Sequence, residues 1–420
     1  MNENPRKVLI LSPHFPPSSL PPSHRVRLYV KHLHSLGWWP VVITVNPSSR
    51  EDTPDPWMDA IVGDSFEKHT MPCLPQGLTR LFGFGDLGLR ILPFLIPTLI
   101  SSIRRHRPDV LLLPVPPWYV LLAAPIVKRL TGVPYVIDFI DPWFYDAEPE
   151  GFKAKATLWI AKKMEGFVTV HSSGIVAVSS GILEDLARRH PSARQIPSEV
   201  LPYGVELSDY EGFRESANPV RARKLVRYIG AVSEAMKPVV RTMLEAFREM
   251  EDTHPLQIEF IGTSYAGAGL SRPVLTDLIE QAGCEGFVTE RPARVGYSDA
   301  LRLTAESDLL LLIGDTTRYY AASKLMGLIA SGRPFLAFTH EESVPCEFLS
   351  NRAYPFLVSY GDDPDGPTSR KNQLKEVLSQ ALSGNHEFRP IDTSDPSFIE
   401  HTAFGMTRKM SEILKKATDA

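Results

Sequence analysis

The chain has 420 residues, more than one hydrophobic core usually serves, so two domains are expected. Its 43% hydrophobic and 22% charged content is that of an ordinary globular protein, and a net charge of -4 supplies no global field to recruit nucleic acid. The three cysteines, Cys73, Cys284 and Cys346, are scattered and odd in number, which excludes a disulfide framework and favours a reducing compartment.

The N-terminus, MNENPRKVLIL, runs straight into a strand and carries no signal-peptide pattern. "KVLILS" (7–12) ends at a proline-rich loop, "PHFPPSSLPPSHR". Val26, Tyr29, Val30, Leu33 and Leu36 then recur at helical spacing, Gly37 stops the helix, and "PVVITV" (40–45) is the next strand, giving a βαβ unit. "DVLLLP" (109–114), "YVIDFI" (135–140) and "GIVAVS" (174–179) are further strands separated by helices, and "SEVLPYG" (198–204) closes this half. Near-continuous apolar strands alternating with helices imply a parallel sheet covered on both faces.

The apolar run "ILPFLIPTLISSI" (91–103) is followed by Arg104, Arg105, His106 and Arg107. It is shorter than the roughly 20 residues a membrane span needs, and Pro93 and Pro97 interrupt it. Two readings stand: a half-buried helix whose basic end suits the helix dipole, or an interfacial segment resting on anionic lipid.

The polar stretch "VELSDYEGFRESANPVRAR" (205–223) reads as a crossing between domains. The pattern then restarts, with strands at 225–230, 256–262, near "FVTER", at 308–314 and at 334–338, and helices at 237–250, 273–282, around 298–306 and at 323–331. The expected division is 1–205, a crossing at 206–223, a second domain at 224–395, and a last helical stretch at 396–420 placed to return to the first domain. The fold class is therefore α/β, two doubly wound parallel-sheet domains in series. Ligands of such sheets bind at the carboxyl ends of the strands, and a cleft between two facing domains is a favoured site.

The loop and helix "RYYAASKLMGLIASGRPFLA" (318–337) follows a strand. A helix start there offers free amides and a favourable dipole to an anion, with Ser323 as cap or phosphate donor and Lys324 as a full charge. Arg318 is within reach of a phosphate, while Arg333 in the exit turn reads as solvated. After the first strand of the second domain, Lys237 and Arg241 are four residues apart and share a helix face. Gly262, with Gly267 and Gly269, fails the dinucleotide spacing but fits a loop under a base or ribose. In the first domain, His14 follows the first strand, and Arg25 and Arg27 open the first helix, an unusual place for arginine on dipole grounds unless one faces an anion. Asp141 either orients an acceptor hydroxyl or forms a turn with Pro142. Trp143 and Phe144 either stack on a sugar or plug the core.

In order along nearly the whole chain these segments resemble the glycosyltransferase family 4 proteins of the GT-B fold. "KVLILSPHFPP" with Arg25 and Arg27, "RPDVLLLPVPP", "PYVIDFIDPW", "GIVAVSSGILEDL" with "VLPYGVE", "YIGAVSEAMKP" and "SKLMGLIASGRPFLA" carry the resemblance. It implies two Rossmann-like domains facing across a cleft and retaining transfer of a sugar from a nucleotide-diphosphate donor bound by the second domain. The acceptor would be bound by the first domain and be of envelope or polysaccharide type, a lipid-linked precursor included. The leaving phosphate itself would help accept the proton. Lys237, Lys324 and Asp141 are then the expected catalytic groups, with Arg241, Ser323, Gly262, Arg318 and Gly327 on the donor and His14, Arg25 and Arg27 on the acceptor.

The sequence also departs from the family pattern. The ribose-binding Glu of the last element falls on Gly327, the donor-loop Arg on Ala231, and the Arg of "Asp-Phe-Arg-Asp-Pro-Trp" on Ile140 beside Asp138. A Glu usual before the last helix is missing from "TTRYYAAS", and the first domain's glycine-rich loop is replaced by "PPSSLPPSHR". A GT-B-like protein that has lost transfer and acts as a scaffold is the alternative, and a nucleotide-sugar epimerase is a third reading. No cofactor and no metal are expected at the diphosphate, since no carboxylate cluster stands there. The expected location is cytoplasmic, with peripheral contact to the inner face of the membrane through 91–107.

Overall fold

A computed structural model describes residues 5–50, 52–81, 86–143, 151–213, 221–266, 269–317, 320–363, 365–383 and 388–419. Phe144, Gly267 and Arg318 lie outside the described residues. The chain divides into two compact units, Met1–Pro202 with Thr402–Ala420, and Tyr203–His401.

The first unit holds seven strands: β1 (Arg6–Leu11), β2 (Trp38–Val45), β3 (Glu67–Met71), β4 (Val110–Val115), β5 (Tyr135–Phe139), β6 (Gly174–Ala177) and β7 (Ser198–Val200). Their order is β3-β2-β1-β4-β5-β6-β7, with every neighbouring pair parallel. Successive side chains of a strand point to opposite faces, and β1 divides its apolar run accordingly. Leu9 and Leu11 join a core with Ile91, Leu95 and Leu99, while Val8 and Ile10 join one with Met406, Met410 and Ile413. Both faces are thus covered, which is why these strands read as continuous hydrophobic runs.

The helix Leu87–His106 covers one face. It is longer than the apolar run 91–103 and is, among the described residues, the one helix long and apolar enough to cross a membrane. Ile91, Leu95, Leu99 and Ile103 are buried at four-residue spacing, so its stripe faces the sheet. Pro93 and Pro97 sit within the helix on its exposed side rather than ending it. Asp86 caps its start by accepting from the Leu89 amide at 3.0 Å. The helices Pro21–Leu33 and Ala403–Asp419 cover the other face, the latter pinned where the Trp38 indole donates to Ser411 at 3.0 Å and Thr407 donates to the Leu28 carbonyl at 3.3 Å.

The second unit holds β8 (Lys224–Ile229), β9 (Leu256–Ile261), β10 (Val288–Arg291), β11 (Leu309–Ile313), β12 (Phe335–His340) and β13 (Leu357–Tyr360), ordered β10-β9-β8-β11-β12-β13 and again all parallel. The strand order reverses between β8 and β11, and the crevice at the carboxyl ends of such a pair is where an α/β sheet receives ligand. Within the stretch expected as the crossing between domains, 206–223, the short 3-10 turn Leu207–Tyr210 belongs to this unit and buries Asp209 and Tyr210.

Candidate functional site

The loops after β8, β9 and β11 are stitched together by backbone hydrogen bonds. The Gly230 amide donates to the Ile261 carbonyl at 2.7 Å, Val232 to Thr263 at 2.9 Å, and Thr316 to Ala235 at 3.2 Å. Gly262 donates to Arg291 at 2.7 Å and has φ +75. Into this framework comes Lys324. Its Nζ lies 4.0 Å from the Tyr228 ring centroid and donates to the Tyr228 hydroxyl at 2.8 Å, while that hydroxyl donates to the Ala231 carbonyl at 2.8 Å. Gly230 makes the approach possible. It has φ +145, and a Cβ there would lie 1.9 Å from the Lys324 Nζ.

Desolvation, and then the charge of Arg294, push the Lys324 ammonium down to about 7. A lysine in this state has traded water for an aromatic face and a phenol, with no carboxylate among the described residues pulling its pKa back up. An anion brought to the same loops supplies that balance. Asp315, just beyond β11, is raised by desolvation, while its carboxylate accepts from the Thr317 amide at 2.8 Å, which lowers it.

Three expectations for this loop are corrected. The helix is Leu325–Ser331, only seven residues, with Lys324 itself at the cap position and no side-chain cap. Ser323 is exposed in the preceding turn and is not the cap. An anion here would therefore meet a lysine charge rather than a long helix's dipole. Gly327 does not leave an open ribose pocket: a Cβ there would meet the Tyr210 hydroxyl at 2.5 Å. The place where the family's Glu would begin is taken by the hydroxyl of Tyr210, a residue from the 206–223 stretch.

Lys237 stands at the start of the helix Lys237–Met250 and pairs with Glu234 at 2.8 Å, while Arg241 is exposed one turn on. Sequence reasoning missed Arg294, an exposed residue of the loop after β10, and Tyr228, whose identity as a platform needed the β8–β11 neighbourhood to be visible. It also missed Glu290, which fixes the loop after β9 by accepting from the Thr263 hydroxyl and from the Val274 and Leu275 amides at 2.9 and 3.0 Å.

In the first unit, Arg25 is corrected outright. The helix begins at Pro21, so Arg25 is a full turn inside it. Its guanidinium is fully buried and holds Asp138 in a two-pronged pair at 2.8 and 2.8 Å, with Tyr29 donating to the same carboxylate at 3.0 Å and the Leu201 carbonyl accepting from Arg25 at 2.9 Å. It joins the first helix to β5 and the end of β7 rather than reaching for an acceptor. Arg27 is likewise buried, at 3% exposure, and is not offered to solvent. His14 is pushed down to about 4, chiefly by desolvation, with Asp52 at 3.9 Å raising it and Arg50 lowering it, so it is a neutral imidazole near neutrality. Asp141 still meets solvent, yet the protein crowding its carboxyl raises it to about 6. Ile140, where the family has Arg, is fully buried. Trp143 stacks on Trp118 with ring centroids 5.7 Å apart and packs against the core.

Two parallel-sheet α/β units, each with its ligand-type loops at the strand ends, define a protein of the GT-B fold. Residues 22–204 match the family model described as a glycosyl transferase 4-like domain. Over 99% of this chain and 97% of the other, the structure is similar to sucrose-phosphate synthase from Thermosynechococcus elongatus, at TM-score 0.62 and 13% identity. It is similar to Anabaena Alr3699/HepE crystallised in complex with UDP-glucose, at TM-score 0.63 and 15% identity over 97% of this chain and 99% of that one. UDP-GlcNAc 2-epimerase from Methanocaldococcus jannaschii is similar at TM-score 0.52 and 11% identity, over 98% and 99%. At these identities the likeness is one of fold. No curated protein matches the chain in sequence.

Proposed function

We propose that this chain transfers a sugar, with retention, from a nucleoside-diphosphate donor held by its second unit to a hydroxyl acceptor at its first. The observation that carries the reading is Lys324, lowered to about 7 chiefly by desolvation and set on Tyr228 at the β8–β11 crevice. Lys324 would stabilise the diphosphate as it departs, which is the largest demand of such a reaction. Lys237 and Arg241 on the helix after β8 and Arg294 on the loop after β10 would add positive charge, and the proposed reaction calls for no metal or cofactor. The UDP-glucose bound by Alr3699/HepE favours UDP as the first nucleotide to try.

The acceptor side would use Asp141, raised to about 6, as the group that orients or deprotonates an acceptor hydroxyl. An envelope-type, lipid-linked acceptor fits a cytoplasmic enzyme that touches the membrane. That contact is better carried by exposed Ile126 and Leu130 with Trp159, Ile160, Phe167 and Val170 than by the helix Leu87–His106, whose apolar stripe faces the sheet. Lys155, Lys162 and Lys163 are exposed on the same helix as Trp159 and suit anionic headgroups.

One observation favours the scaffold reading. Tyr210 closes the place where the family's ribose ligand would stand, so the donor must either be held without it or not be held at all. Release of nucleoside diphosphate from UDP-, GDP- and ADP-sugars, measured with and without acceptor lipid extract, separates the two. Turnover with one donor, lost in Lys324→Ala, supports transfer. Absence of turnover with nucleotide binding intact supports a scaffold.

A further inference from the structure

The edge strand β3 brings Glu67 and His69 beside His106 at the last turn of the helix Leu87–His106. Glu67 and His69 are two residues apart on a strand and share a face. One Glu67 oxygen is 3.3 Å from His106 Nδ1 and 3.6 Å from His69 Nε2, and the three ligand atoms all lie within 4.8 Å of one another. The two imidazole rings are 4.8 Å apart, centroid to centroid. The other Glu67 oxygen is occupied by the Trp39 indole N–H at 3.0 Å. That bond turns the remaining oxygen toward the histidines, as an outer donor orients a metal-binding carboxylate. His69 Nε2 is buried and without a hydrogen-bond partner, since 3.6 Å is too long for one.

We propose that Glu67, His69 and His106 form a site for one divalent transition-metal ion of the zinc type. Two imidazoles and a carboxylate are a borderline-soft donor set that selects zinc over calcium or magnesium. With bonds of about 2.0–2.1 Å, tetrahedral donors stand about 3.4 Å apart, and the 3.3 and 3.6 Å separations straddle that spacing. The widest pair closes by rotation of the His69 ring, which is a third exposed. His106 Nδ1 faces the same Glu67 oxygen at 3.3 Å, and Arg105 and Lys7 stand near enough to His106 for their charges to be felt. Lys7 and Arg105 oppose a dication, so affinity comes from the ligand bonds rather than from the surrounding field. The bound ion would clip the otherwise unprotected edge strand to the end of the helix that covers its sheet. It lies in the first unit, independent of the donor reading.

The test is equilibrium dialysis and titration calorimetry of chelator-stripped, full-length protein with Zn2+, with Co2+ as a spectroscopic probe. One ion per chain is expected, bound at least tenfold more weakly by His69→Gln and by His106→Gln, with Co2+ giving the intense visible bands of a four- or five-coordinate site. Trp39→Phe, which leaves all three ligands, is expected to weaken binding about tenfold. If buried His106 proves essential for folding, half-buried His69 alone decides. Absence of stoichiometric binding, or binding unchanged in folded His69→Gln, overturns the proposal.

Discussion

The Tyr210 hydroxyl lies 2.5 Å from the point where a side chain on Gly327 would begin. Gly327 is thus a glycine of close approach. Adding Glu there would not restore a ribose ligand but would force Tyr210 out of its buried place, at a cost of about 1–3 kcal/mol. Gly327→Ala tests the contact alone. With the hydroxyl removed, the next atom is the Tyr210 ring carbon at 3.6 Å, an ordinary contact. In a double-mutant cycle by urea unfolding, Gly327→Ala and Tyr210→Phe are expected to couple by about 1 kcal/mol or more, the pair being less harmful than the sum.

Gly230→Ala is expected to lower nucleotide affinity at least tenfold while leaving the fold intact. The new methyl would displace the Lys324 ammonium, and φ +145 disfavours any side chain. Calorimetric affinity read beside far-ultraviolet circular dichroism checks both halves of this expectation.

Lys324 gives the site a pH signature. Its pKa in the free protein is about 7, against 10.5 for an ordinary lysine. Pairing with a diphosphate favours the ammonium, so binding should take up a proton at about pH 8, where the diphosphate itself no longer titrates. Affinity should fall as pH rises above 7. The calorimetric enthalpy should vary with buffer ionisation enthalpy in wild type and not in Lys324→Met. Stability follows the opposite course. The unfolded chain keeps this proton up to about 10.5 and the folded one releases it near 7, so the group's contribution rises with pH across that window and is smallest below it. Lys324→Met is therefore expected to raise the unfolding midpoint at pH 7.

The buried Arg25–Asp138 pair predicts a structural phenotype where an acceptor phenotype might have been sought. Asp138→Asn leaves a guanidinium with 0% side-chain exposure short of its charge partner and is expected to cost about 3–5 kcal/mol. Denaturant unfolding measures it. A change confined to acceptor kinetics, with stability unchanged, would contradict the assignment.

The strands buried on both faces were legible because they read as unbroken apolar runs, while the resemblance to GT-B glycosyltransferases rested on motifs such as "PYVIDFIDPW" and "SKLMGLIASGRPFLA" in their order. β3 was not legible: "EKHTM" is an edge strand with alternating exposure and no hydrophobic run. β13, "LVSY", is a four-residue edge strand with alternating burial and was missed for the same reason. Lys324 was found from its place after a strand, but its aromatic seat was not, because Tyr228 and Lys324 are 96 residues apart in sequence. Arg25 was misread because the helix start was placed too late. Two prolines fit a first helical turn, so the helix begins at Pro21. The role of Tyr210 was invisible because the segment around it is polar and without period.

The central claim is that a nucleoside diphosphate is held at Lys324. Isothermal titration of the full-length protein with UDP, GDP and ADP, repeated on Lys324→Ala, tests it most directly. The account predicts saturable binding of one nucleotide, weakened at least tenfold by the substitution, since a charge-assisted hydrogen bond is worth about 1.5–3 kcal/mol. Binding of none of the three by folded protein, or binding indifferent to the loss of Lys324, would contradict it.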